Sequence, residues 1–92
     1  MTTPDRLDQI AQQLTKGKLS YEGVARELRE LLQAAPNDAN FRSLLRTAIV
    51  WAEAAANPQQ SERYGGEAQV REFLLGDLTV ARSMARRTGK AR

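Results

Sequence analysis

Between Leu19 and Pro36 the chain reads LSYEGVARELRELLQAAP, and Tyr21, Val24, Ala25, Leu28, Leu31, Leu32 and Ala35 recur at steps of three and four. That period places them on one face of an α-helix. A strand would scatter the same set over both faces of a sheet, because its side chains alternate. Nowhere do apolar and polar residues alternate in runs rich in Val, Ile or Thr, and Ala, Leu, Glu, Arg and Gln dominate throughout. The chain therefore reads as all-α.

Four segments carry helical signals. The first spans about residues 4–16: Thr3 offers an N-cap, Pro4 suits the first turn, and Asp5 complements the positive end of the helix dipole. Leu7, Ile10, Ala11 and Leu14 form its apolar stripe, and Gly17 can end it in a left-handed conformation. The second spans 20–35, capped by Ser20. Gly23 lies in its first turn, where the usual cost of about 1 kcal/mol relative to alanine is reduced. APNDAN then breaks the chain and supplies Asn37 or Asp38 as the next cap. The third spans 38–56. Phe41, Leu44, Leu45, Ala48, Ile49, Trp51, Ala52 and Ala55 cover an arc wide enough for two neighbours, so this helix is expected at the centre. Residues 57–66 read as a linker, with a turn begun at Ser61 and a hinge at Gly65-Gly66. The last helix spans 67–87, is stopped by Gly89, and leaves 89–92 as a basic tail. The expectation is a single domain over 1–88, a three- to four-helix antiparallel bundle.

Several chemistries are excluded by what the chain lacks. Its 92 residues contain no cysteine and no histidine, which removes disulfides, thiolate sites, the usual zinc ligands and the commonest general base. Lys16, Lys18 and Lys90 sit at helix ends or in the tail, where a catalytic lysine's depressed pKa is not expected. The carboxylate pairs Asp5/Asp8 and Glu27/Glu30 lie on polar faces beside arginines, and a lone YGG is no phosphate loop. No enzyme, metal or cofactor is expected. The apolar runs are too short for a membrane span, and MTTPDRLDQI lacks the features of a signal peptide, so a cytoplasmic protein is expected.

The net charge of +3 comes from one end. Arg82, Arg86, Arg87, Lys90 and Arg92 follow residue 81, whereas residues 1–81 hold nine basic side chains against all eleven acidic ones, a net of −2. A duplex-binding domain usually spreads its basic footprint over one face. A helix-turn-helix also fits poorly: VARELREL resembles a first helix, but it runs on to Pro36, well past the point where the tight turn is required.

The closing stretch FLLGDLTVARSMARRTGKAR holds the candidate contacts. Val70, Phe73, Leu74, Leu78, Ala81, Met84 and Ala85 share one apolar arc, and Asp77 falls inside it. A carboxylate there needs a partner: a cation or helix-end group within the bundle, or an arginine of another chain, a second copy included. On the other side Arg71, Arg82 and Arg86 line up around an exposed Leu75, a stripe suited to an acidic protein groove or a phosphate backbone, although arginines near a helix C-terminus such as Arg86 and Arg87 also complement its dipole without any ligand. Tyr64, beside two glycines, is a typical interface residue that could also tuck back onto the bundle. The expected function is non-enzymatic protein binding, as a regulator, adaptor or inhibitor, through Tyr64, Arg71, Leu75, Asp77, Arg82 and Arg86. Dimerisation through the last helix, or the alanine-lined face of the third, is expected with it. Nucleic-acid association through Arg82, Arg86, Arg87, Lys90 and Arg92 is the alternative, and a nucleotide- or small-ligand-binding oligomer the distant one.

Overall fold

A computed structural model describes residues 2–35 and 38–90, and it is all-helical: α1 (Thr3–Thr15), α2 (Tyr21–Ala34), α3 (Ala39–Ala56), α4 (Pro58–Arg63) and α5 (Glu67–Lys90). The expected breaker Pro36 and cap Asn37 lie outside the described residues, as does the Arg92 of the tail. The number of helices exceeds the three or four expected because the supposed linker is itself helical. Asn57, which ends α3, also caps α4: its side chain accepts from the Gln59 and Gln60 amides at 3.0 and 3.4 Å, and Pro58 takes the first helical position. The helix begins there and not at Ser61, whose buried hydroxyl donates to the Pro58 carbonyl at 3.0 Å.

The other termini follow from local chemistry. Thr2, one residue earlier than expected, forms a capping box with Asp5. These hydrogen bonds hold the Asp5 carboxyl below its ordinary value. The far end of α1 closes in a Schellman pattern: Lys18 N–H donates to Gln13 at 2.8 Å and Gly17 N–H to Leu14 at 3.1 Å, with Gly17 at φ 73°. Ser20 and Asp38 cap α2 and α3. The last helix continues through Gly89 to Lys90, past the expected end at 87. At about 1.5 Å per residue its 24 residues account for most of the molecule's 43 Å length.

α3 packs against α2 and α5, α5 also packs against α1, and α1 against α2. Asp8, early in α1, meets Arg82, late in α5, and Leu14 meets Arg71, so these two helices run in opposite directions. One core unites Leu7, Ile10 and Leu14 of α1 with Val24, Leu28 and Leu31 of α2, Phe41, Leu45, Ala48 and Ile49 of α3, and Leu74, Leu78 and Ala81 of α5. Among the described residues α3 contributes seven buried ones, more than any other helix, as its wide apolar arc implies. Ala54, Ala55 and Val70 form a smaller cluster where α4 joins α3 and α5.

Candidate functional site

The arginine stripe on α5 faces α1. Arg71 donates to the Leu14 carbonyl at 3.3 Å, at the end of α1 where backbone acceptors outnumber helical donors. Arg82 forms an ion pair with Asp8, and Arg86 reaches the other oxygen of that carboxylate at 3.4 Å. Leu75, expected to stand exposed among them, is half-buried against the core. The reason is the 3.6-residue period: positions 71, 75, 82 and 86 share one side of α5, and that side is where α1 lies. α1's polar face supplies Asp8 to meet the cations there. Of the stripe, only Arg86 remains more than half exposed.

The opposite flank of α5, toward α3, carries a different arrangement. Trp51 of α3 is half-buried and touches two other rings. Tyr64, just beyond α4, meets it edge-on, with centroids 5.1 Å apart and planes at 90°. Phe73 of α5 lies 5.0 Å away, tilted by 39°. Both geometries belong to favourable aromatic contact. Gly65 and Gly66, at φ 100° and 102°, reverse the chain immediately after Tyr64 and return it along α3 as α5. The large apolar side chains left exposed among the described residues are Val50, Tyr64, Phe73 and Val80, at 40–52%. Three of these four belong to the ring cluster or to the α5 ridge beside it.

Asp77 lies within this face. It is half-buried, and its Oδ2 is shut off from solvent without a hydrogen-bond partner among the described residues. Burial pushes its carboxyl above the ordinary value, against a smaller opposite pull from hydrogen bonding by the Trp51 side chain. Among the described residues, the cation or helix-end group expected within the bundle is thus not its neighbour. An indole N–H is, and an indole brings no charge. Phe73, Asp77, Val80, Met84 and Arg87 follow at steps of four, three, four and three, so they form one ridge along α5.

The structure therefore brings Tyr64 and Asp77 to one face and Arg71, Leu75, Arg82 and Arg86 to another. Trp51, Phe73 and Val80 are contacts of this face that do not stand out in the sequence. Trp51 and Phe73 each lie on an apolar arc, although at its edge, and such an arc reads as core. The 4–3–4–3 spacing from Phe73 to Arg87 was the available signal. Among the described residues there is no cluster of three or more acidic or other ligating side chains able to hold a metal, and no helix long and apolar enough to cross a membrane. No protein-family model, curated protein or solved structure matches this chain.

Proposed function

We propose that this chain is a small non-enzymatic binding protein, a regulator, adaptor or inhibitor that acts by contacting another protein through the α3/α5 face. In this reading the long helices form an antiparallel bundle that holds the face rigid, in the cytoplasm. The observation that carries it is the cluster of Trp51, Tyr64 and Phe73, with two rings 44% and 40% exposed beside exposed Val80. Aromatic side chains offer large contact areas at low cost in conformational entropy, and rings already packed together lose less still on binding. A half-buried carboxylate without an ion pair gives such a face polarity and therefore selectivity. The arginines on the other side of α5 lend less support to a contact role, because Arg71, Arg82 and Arg86 each bond α1.

Affinity capture from cells of origin, after nuclease treatment, tests this reading. The wild-type chain, Phe73→Ala and Arg86→Ala would be compared, and any captured protein purified and rebound. The expected result is a protein partner that survives nuclease and Arg86→Ala. Phe73→Ala should weaken it by about 2 kcal/mol, or roughly thirtyfold. Loss of the captured material to nuclease and to Arg86→Ala, with Phe73→Ala unaffected, would replace this reading with the nucleic-acid alternative.

A further inference from the structure

We infer that the α3/α5 face receives a second copy of this chain, with the two α5 helices antiparallel and Asp77 of each copy paired with Arg87 of the other. The inference rests on the reading of this face as a contact surface and names its occupant. Phe73, Asp77, Val80, Met84 and Arg87 have the 4–3–4–3 spacing of a two-helix seam, continued over two heptads. Val80 is 49% exposed, Phe73 40%, and Arg87 is exposed with no ion pair among the described residues. The seam thus has an apolar middle and one unlike charge toward each end.

Direction follows from charge. In a parallel pair equivalent residues meet, so Asp77 would face Asp77 and Arg87 would face Arg87, both repulsive. Asp77 stands three residues before Val80, and Arg87 stands three after Met84. An antiparallel pair centred between Val80 and Met84 therefore sets Val80 against Met84 of the other copy and Asp77 against Arg87 of the other copy, twice by symmetry. Such a contact is isologous and closes at two copies. It also sets an arginine of the other copy beside the half-buried Asp77 carboxylate, which forms no ion pair among the described residues. The ring cluster argues against a small cationic ligand in that place. With centroids 5.0 and 5.1 Å apart the rings fill the space between one another, leaving no cage to enclose an ammonium group. Of the three, Trp51 hydrogen-bonds the Asp77 carboxyl, and Tyr64 and Phe73 are partly exposed.

Sedimentation equilibrium on the full chain and on charge-reversed variants tests the inference. The wild type is expected to show a concentration-dependent monomer–dimer equilibrium. Arg87→Glu, a change at an exposed position that leaves the fold intact, should weaken the dimer about tenfold or more by setting Glu against Asp77. Asp77→Arg should do the same by setting Arg against Arg87. An equimolar mixture of these two variants restores unlike charges at both ends of the seam, so it should dimerise again although neither variant does alone. Circular dichroism confirms that each variant folds; should Asp77→Arg not fold, Arg87→Glu paired with Asp77→Lys takes its place. A wild type that stays monomeric up to millimolar concentration overturns the inference, as does a dimer indifferent to Arg87→Glu or a mixture of folded variants that does not recover. If the wild type is monomeric while capture of another protein still depends on Phe73, the face remains a contact surface and only its occupant was misassigned. A dimer insensitive to both Phe73→Ala and Val80→Glu would instead remove the face itself.

Discussion

Asp77 and Gly76 are adjacent on α5 and both are unfavourable there, for different reasons. The Asp77 carboxylate keeps an oxygen buried without a partner among the described residues, and a buried unsatisfied polar group costs on the order of 1–3 kcal/mol. Because the side chain is only half-buried, water screens part of that cost. Asp77→Asn leaves a polar group in the same place but removes the charge that burial disfavours, so it should stabilise the isolated chain by about 1 kcal/mol at pH 7, read by urea denaturation of a dilute sample. The effect depends on pH. Burial raises the native carboxyl above the ordinary 3.8, so between that value and the raised one the folded state holds the proton more tightly than the unfolded state. The wild type consequently gains stability from this group as pH falls through the raised value, and the gain is complete below the ordinary one. The advantage of the Asn variant should shrink over that window; an advantage that grows toward acid would contradict the assignment. Gly76 is simpler. It is helical and exposed, and a Cβ built there meets nothing within 4 Å. Gly76→Ala should raise the thermal midpoint, by the equivalent of roughly 0.5–1 kcal/mol. Gly23 is the instructive contrast, since a Cβ there would come within 2.7 Å of Leu19 Cδ1, and its absence lets Leu19 close over the start of α2.

At the scale of elements, the contact between α1 and α5 joins two distant parts of the chain. Its polar half is Asp8 with Arg82 and Arg86, and its apolar half is Leu7, Ile10 and Leu14 against the core. Asp8 and Arg82 are both about two-thirds buried, so their coupling should exceed that of a surface pair. A double-mutant cycle with Asp8→Ala and Arg82→Ala should give about 1 kcal/mol of coupling, measured by denaturation, whereas zero coupling would make the pair a surface ornament. The helices themselves were legible in the sequence. Ser20, Asp38 and Gly17 mark boundaries by their chemistry, and the apolar periods of α2 and α3 specify which faces are buried. α4 was not legible, because six residues are too few to show a 3.6-residue period and Asn57-Pro58 ends one helix with the same chemistry that starts the next. The reach of α5 through Gly89 was missed as well, since a glycine near a helix end is equally compatible with a cap and with continuation.

For the whole molecule, periodicity gives each helix an inside and an outside but does not say which neighbour lies on which flank. The arginine stripe illustrates this: positions 71, 82 and 86 were correctly aligned on one side of α5, yet only the packing of α1 against α5 shows that Asp8 and the Leu14 carbonyl meet them. The same limit hid the aromatic cluster, which joins Trp51, Tyr64 and Phe73 from three separate segments. Asp77 was visible as an anomaly from the sequence because a carboxylate breaks an apolar arc regardless of the neighbour. What emerges is a molecule with its basic side folded against itself and its aromatic side turned outward. Hydroxyl-radical footprinting tests that division most directly, comparing the dilute chain with the chain in the protein assembly it forms. Protection of Trp51, Tyr64 and Phe73 on assembly is the predicted result. Unchanged reactivity at all three rings, with protection confined to the arginine side of α5, would contradict the account.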